Sequence, residues 1–581
     1  MLTVDFSCQP SLNTLLEITA KRFANRVAVQ DETRALTFVE LYDEVVTLAV
    51  RLQALIELGD HVAVQLRRGL DYIVAAYAIW KAGGVYLPLD DQWPQSRIEG
   101  ILHQAHVQVL ITHASQVGFG ITLTELNPES RTELLATDVP AYIIHTSGTS
   151  GKPKGVVISH ESLLHLVGSH QRDIYQMHGV TEGDVAINAS FCFDSSLERL
   201  ALVALGYSVH VVSDRVRKSP HELVAYLRKY QIVNVDLVPS HLKVLLNVGL
   251  NEKCRALRLV IVGGEAIDAE LWHKLAAYDA VYINVYGPTE NTINTTFCEI
   301  CGETPHIGHP FENVECLLLD EDGQCCPPGE AGELLVAGRH LSLGYYNAPE
   351  LNERAFFNFK GRRYYRTGDL VQQQVQGNLL FLGRIDDQVK INGYRIELAD
   401  VQYNLAQLPG IQFAAVTPLK LPSGQGLLAS IVWHTDADGR KLFDLAALLG
   451  EKLPSYMVPD RWQQLDALPL TDNLKLDHKS LLNSWQKHQS EIDKNVHGER
   501  LSTTERRIQA IWQRILMRSQ LAPDAHFFAS GGDSMAAMTL LVELNNEMSH
   551  EIGLREIFKY PTIRKMAAWL DANTVQSEGR R

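Results

Sequence analysis

The chain has 581 residues, too many for one hydrophobic core, so several domains are expected. Hydrophobic residues make up 46% and charged residues 21%, an ordinary globular composition. The formal net charge of −15 argues against a general nucleic-acid binder and against a binder of anionic membranes.

The N-terminal stretch Met1 to Leu12 contains Asp5 and lacks a basic start followed by an apolar run, so no signal peptide is predicted. No apolar stretch approaches the roughly 20 residues that cross a bilayer. A cytoplasmic location follows as the expectation, with the eight cysteines as free thiols. Cys298 and Cys301 form a CxxC, and Cys325 and Cys326 are adjacent. No second pair stands at zinc-ribbon spacing, so they are read as structural or incidental rather than as metal ligands.

Residues 1–384 alternate short Val/Ile/Leu runs with amphipathic helical stretches. Leu70 to Ala82 reads as a helix, Gly83-Gly84 stops it, and Val85 to Pro88 resumes extended chain. Val233 to Val238 and Leu259 to Val262 read as buried strands. The alternation predicts an α/β core with mainly parallel sheets. A smaller α+β unit is expected over 385–485, and a polar stretch over 486–500 reads as a flexible linker. The last unit, 501–575, reads as an all-α four-helix bundle. In it, Ser502 and Glu505 fit a capping box. Ile508, Ile511, Trp512, Ile515 and Leu516 then share one helical face. A further helix is expected to begin at Asp533-Ser534, with Met535, Met538, Leu541 and Val542 turned inward.

Thr146-Ser147-Gly148-Thr149-Ser150-Gly151-Lys152-Pro153-Lys154-Gly155 follows the apolar run Ala141 to Ile144. Glycines and small hydroxyl residues let a backbone wrap closely around phosphate, and the lysines add positive charge. The spacing is not that of a Walker A loop, because Gly148 and Gly151 are too close and Pro153 follows Lys152. Taken alone, the segment could also be a surface turn.

The segment resembles the phosphate loop of adenylate-forming enzymes, the superfamily of acyl-CoA synthetases, firefly luciferase and nonribosomal peptide synthetase adenylation domains. Further signature segments follow in order: Lys81 to Asp90, Tyr286-Gly-Pro-Thr-Glu290, Gly332-Glu-Leu334, Tyr365 to Leu370, Gly383 to Lys390 and Leu453 to Pro459. The set most resembles peptide synthetase adenylation domains, over about Leu12 to Leu481.

The resemblance implies ATP and Mg²⁺ as cofactors and a set of roles. Thr146, Ser147, Gly148, Thr149, Ser150, Gly151, Lys152, Lys154 and Gly287 would hold ATP. Thr289 would contact phosphate, and Glu290 would help hold Mg²⁺. Tyr286 would stack near adenine, Asn284 would read its amino edge, and Gly264, Glu265 and Ala266 would wall it in. Asp369 would bind the ribose hydroxyls, with Arg384 close by. Lys475 would contact the carboxylate and bridging oxygens during adenylation, although Leu474 stands where the family has Gly. Asp386 would be the hinge of a mobile small subdomain that exchanges Lys475 for the Gly393 loop.

Phe527 to Ser534 resembles the phosphopantetheine attachment site of peptidyl carrier domains, with Ser530 where the family has Leu. Ser534 would carry the 4′-phosphopantetheine. The alternative is an ordinary N-capping Asp-Ser pair.

By motif matching, the substrate pocket would be lined by Asp194, Ser195, Glu198, Asp236, Ile261, Gly263, Val285, Ile293 and Asn294. Asp194 falls where amino-acid-activating members hold the α-ammonium. Two further carboxylates in an apolar pocket call for a cation. They predict a basic side chain such as lysine, ornithine or another diamino acid. The alternative is that Glu198 pairs with the adjacent Arg199 or another internal cation.

The implied function is ATP-dependent activation of an amino acid and its loading onto the protein's own carrier domain. The competing readings are a ligase releasing free acyl-CoA and a non-catalytic carrier or scaffold. Implied partners are the amino acid, a phosphopantetheinyl transferase and a downstream condensation or other acceptor enzyme. A small activator of the MbtH type stays open, and neither nucleic acid nor membrane is expected.

Overall fold

The computed structural model describes residues 11–113, 121–126, 140–148, 153–386, 388–421, 424–434, 442–469, 476–494, 501–516, 521–527, 530, 532, 534–548 and 552–578. The large core contains a 9-stranded, a 7-stranded and a 5-stranded sheet. In the largest, neighbouring parallel strands run in the order Val281–Tyr286, Leu259–Gly263, Asn234–Leu237, Asp184–Ile187, Ser208–Val211 and Val27–Gln30. Antiparallel strands close both of its edges. Leu259 to Val262 is buried along its whole length, as expected of a parallel strand covered on both faces.

The helix expected from Leu70 is observed as Asp71–Ala82 and ends on Gly83 at φ 88, whose N–H bonds back to Ile79 and Trp80. The strand Val85–Pro88 follows it.

The expectation of mainly parallel sheets needs correction, because the architecture is mixed. The 5-stranded sheet is antiparallel throughout. Its strands Phe356–Phe359 and Arg362–Gln373 are joined by Lys360-Gly361 alone, far too little chain for a parallel crossover.

The second unit has its own buried cluster, including Val389, Ile396, Val401, Ile431 and Met457. It contains the hairpin Gln388–Ile391/Tyr394–Glu397 and the sheet Ile411–Leu421, Gly424–Trp433 and Arg461–Gln464. The flexible-linker reading of 486–500 is corrected in its first part. Helix His478–Lys494 runs through it, anchored by Leu482 and Trp485 against Leu419, Leu421 and Leu428. Gln486 to Lys494 is polar but contains neither Gly nor Pro, so nothing in its backbone chemistry stops the helix.

Among the described residues, the third unit has four helices, Thr503–Leu516, Ser534–Met548, Leu554–Lys559 and Ile563–Glu578. The Ser502–Glu505 capping box forms, with N–H to side-chain distances of 3.0 and 2.7 Å. Trp512 and Phe527 meet edge to face in the bundle core. The inner face of Ser534–Met548 differs from expectation. Ala536, Ala537, Leu540, Leu541 and Leu544 fill the bundle, whereas Val542 is buried with Leu223, Leu227 and Leu242 of the large core and Met538 packs against that cluster. This helix has two apolar faces, and only one belongs to its own domain.

The described cysteines are free thiols. Among the described residues, no helix is long and apolar enough to cross a membrane.

Candidate active site

Ligand crevices in α/β sheets open beyond the carboxyl ends of parallel strands. Here those ends bring together Asn188 and Ala189, Asp236, Ile261 and Gly263, and Asn284 to Tyr286. A cavity of about 460 Å³ opens there, lined by Asp194, Ser195, Glu198, Asp236, Ile261, Gly263, Val285, Ile293 and Asn294, the whole expected pocket set. The turn after Tyr286 is tight. A Cβ on Gly287 would lie 2.4 Å from the carbonyl oxygen of Ile293, so only glycine fits there. Thr292 and Ile293 have φ of 46° and 67°, a conformation that β-branched residues adopt only when their surroundings enforce it.

Asp194 caps helix Ser195–Leu202 and accepts the Ser195 N–H at 2.8 Å. Burial raises its carboxyl above the usual aspartate range, with a hydrogen bond from Thr289 offsetting part of the rise. Glu198 is already engaged. Tyr175 donates its hydroxyl to Oε1 at 2.7 Å, His170 Nδ1 lies 3.4 Å away, and Arg199 Nε lies 3.1 Å from Oε2. Burial alone would raise the Glu198 carboxyl, but the Arg199 charge and His170 hold it at about 2. Asp236 accepts the N–H groups of Asn188 and Ala189 at 3.2 and 3.1 Å. The two free carboxylates that predicted a basic substrate side chain are therefore not free, and the internal pairing with Arg199 is what forms.

A neighbouring cleft is lined by Gly264, Glu265, Ala266, Asn284, Tyr286, Asp369 and Arg384. Tyr286 donates its hydroxyl to Asp369, and Arg384 donates to the other Asp369 oxygen at 2.6 Å. Arg384 also grips both oxygens of Asp386 at 2.6 Å. Asn284 donates to the carbonyl of His306 at 2.8 Å.

The hairpin 388–397 of the second unit sits in the mouth of the site. A Cβ on Gly393 would lie 2.6 Å from Val238, and Lys390 lines the cavity with Asp194. Ser147 donates to the Arg395 carbonyl at 2.9 Å and accepts the Glu397 N–H at 3.0 Å. Lys154 donates to Glu397 at 3.2 Å. Glu290 is fully buried, accepting Arg395 at 2.6 Å on one oxygen and the Tyr345 hydroxyl at 2.5 Å on the other. Against the cost of burial, Arg395 and Lys154 hold its carboxyl at about 2. With both oxygens engaged, Glu290 does not fit a divalent cation in this arrangement, and no group of three His, Cys, Asp or Glu that could hold a metal occurs among the described residues.

Ser534 is the first residue of helix Ser534–Met548, whose Met538 lines the same cavity. Gly532 is obligatory, since a Cβ there would lie 2.2 Å from the Phe527 ring. Thr149, Ser150, Gly151, Lys152, Leu474 and Lys475 lie outside the described residues.

Sequence reasoning missed Arg395, Tyr345, His170 and Tyr175. Arg395 carried a signal, two positions after the singled-out Gly393. The others carried none, because they are remote in the chain and meet only through the fold.

The family model "AMP-binding enzyme" matches residues 16–346, more than half of the chain. The chain belongs to the AMP-binding enzyme family. A second model, "Phosphopantetheine attachment site", matches residues 506–570. The chain is thus an adenylate-forming ligase joined to a carrier unit, and ATP and phosphopantetheine are its cofactors, with Mg²⁺ usual for such enzymes. A carrier unit implies a phosphopantetheinyl transferase and a downstream acceptor. It is 70% identical to the dapdiamide synthesis protein DdaD of Enterobacter agglomerans over 98% of both chains. It is 33% identical to tyrocidine synthase 1 of Brevibacillus parabrevis over 99% of this chain and 54% of that one. Its fold matches holo-PA1221, a nonribosomal peptide synthetase protein with adenylation and carrier domains, at TM-score 0.79 and 23% identity over 98% of both chains.

Proposed function

We propose that the chain activates an α-amino acid as its adenylate and loads it onto a phosphopantetheine arm on its own Ser534, serving nonribosomal peptide or related natural-product synthesis. One observation carries this reading: a single cavity is lined by Asp194, Lys390, Gly393 and Met538, the last of which lies on the helix that Ser534 opens. An acid-binding pocket and an arm-bearing helix share one passage. In this reading residues 1–384 form the large adenylation core, 385–485 its mobile subdomain, 486–500 the connection and 501–575 the carrier.

In the first half-reaction the amino-acid carboxylate attacks the α-phosphorus of ATP and pyrophosphate leaves. Two anions must meet, so positive charge and oriented donors are the main requirement. Lys475, Lys152, Lys154, Thr289 and the Thr146–Gly151 backbone supply them. Asp194 draws in the α-ammonium, whose charge compensates a carboxylate that is costly to bury alone. Asp369, steadied by Arg384, accepts from the ribose. Tyr286, Asn284 and Gly264 to Ala266 hold the base, and Glu290 would help hold Mg²⁺ only in an arrangement where Arg395 does not occupy it.

In the second half-reaction the subdomain has rotated about Asp386 and the Gly393 hairpin lines the passage. Phosphopantetheine supplies the thiol that accepts the acyl group as AMP leaves. The contacts of 388–397 with Ser147, Lys154 and Glu290 favour this second arrangement.

Intact-protein mass spectrometry of the phosphopantetheinylated full chain, with ATP and each amino acid, with and without an MbtH-type activator, tests the reading. An ATP-dependent aminoacyl mass on Ser534 is expected. Free acyl-CoA formed from added CoA would favour the ligase alternative, and neither product would favour a non-catalytic carrier.

A further inference from the structure

Arg199 is 0% exposed and lines the cavity beside Glu198 and Asp236. Its Nε lies 3.1 Å from Glu198 and 3.7 Å from Asp236, but the first contact is misaligned for a hydrogen bond and the second is too long. None of its three guanidinium nitrogens has a hydrogen-bond partner among the described residues. A guanidinium cannot shed its proton, and its five N–H groups need acceptors when buried. Burial opposes its charge, yet Tyr175, Glu198 and Asp236 outweigh that and keep it firmly protonated. Its charge is met by two carboxylates, while its hydrogen bonds are not made.

Resting on the reading that this pocket takes an amino-acid side chain, we propose that Arg199 is a specificity-determining residue that selects a neutral, amide-bearing side chain. A cationic side chain would face the guanidinium at close range. A carboxylate would add a third anion to Glu198 and Asp236 around one cation. An aliphatic side chain would leave the buried N–H groups unmet. An amide offers its carbonyl oxygen to Arg199 and its N–H to Asp236, whose side chain keeps lone pairs beyond the two backbone donors it already accepts. Arg199 follows directly on Glu198 in the helix, so the chain devotes two adjacent residues to building one recognition point.

The test is ATP–pyrophosphate exchange by the full chain with asparagine, glutamine and Nδ-acetylornithine, set against aspartate, glutamate, ornithine, lysine and leucine. The amide set is expected to exceed its charged and aliphatic counterparts by about 10- to 100-fold in kcat/KM, the worth of a hydrogen bond to a charged group. Arg199→Met should erase that preference mainly through KM for the amino acid, with KM for ATP unchanged. Arg199→Lys, which keeps the charge but not the planar fork, gives a second reading and should restore part of it. Preference for leucine or for ornithine and lysine would overturn this inference while leaving amino-acid activation standing, as would an Arg199→Met variant with unchanged selectivity. Exchange only with acids lacking an α-amino group would overturn the proposed function itself and this inference with it.

Discussion

The proposed amino-acid pocket and the surface formed by Ser147, Lys154 and Glu290 adjoin but are built in opposite ways. Asp194, Glu198, Arg199 and Asp236 all come from the large core, and Tyr175 and His170 brace Glu198 from the same core, while Lys390 of the second unit lines the cavity with them. At that surface, Ser147, Lys154 and Glu290 of the core are met by Arg395 and Glu397 of the second unit. The side chains proposed to choose the acid are held by a single core. In the proposed function, Arg395 and Glu397 are the partners that leave between the two half-reactions.

The comparison can be broken by asking which half-reaction each residue owns. Ser534→Ala should abolish covalent loading completely and leave pyrophosphate exchange intact, and an aminoacyl mass on that variant would refute the attachment site. Next in size, Lys475→Ala should lower exchange by about 10²–10³-fold, the usual loss when one preorganised transition-state contact is removed. Near-normal exchange would return Lys475 to the status of a surface residue.

Smaller effects sharpen the same contrast. Arg395→Met leaves Glu290 buried without its principal cation, at a cost of about 3 kcal/mol to the docked hairpin, or roughly a hundredfold. Loading measured from preformed aminoacyl-adenylate should fall accordingly, while exchange, which in the proposed function uses the other arrangement, should hold or rise. Equal losses in both would mean that Arg395 is structural. Val542→Asp removes about 2 kcal/mol of apolar burial between carrier and core, so loading should fall roughly 30-fold at unchanged exchange. A carrier supplied as a separate protein should compete better with that variant than with the wild type.

Much of this was legible in the sequence because local chemistry fixed it. The helix before Gly83, the strands near Asn234 and Leu259 and the Ser502 cap all depend on neighbours in the chain. The expected pocket residues also converge, because each lies toward the carboxyl end of, or just after, a parallel strand of one sheet. What failed was whatever depends on distant partners. Composition showed two carboxylates, Glu198 and Asp236, but not that Arg199, His170 and Tyr175 had already engaged the first. Periodicity counted Met538 and Val542 as interior without saying interior to which domain. The Glu290–Arg395 pair joins residues 105 apart, and no local pattern reports such a meeting.

The smallest predicted effect separates Asp194 from its neighbours by pH. Burial raises the Asp194 carboxyl, whereas Glu198 and Glu290 are both held at about 2. A raised carboxyl takes up its proton at higher pH than an ordinary aspartate, and the protonated form is neutral and cannot pair with an ammonium. Affinity for the amino acid should therefore weaken as pH falls below neutral, beginning above the usual aspartate value of about 4. The two glutamates keep their charge through that window, so the Arg199 and Arg395 pairs persist and the site keeps its shape. The expected signature is a KM for the amino acid that rises several-fold as pH falls while KM for ATP stays flat. Asp194→Asn should show a high KM with no such slope. If both constants rise together in the wild type, or if the slope survives in Asp194→Asn, the titrating group lies elsewhere and the ammonium anchor must be sought among the other residues lining the cavity.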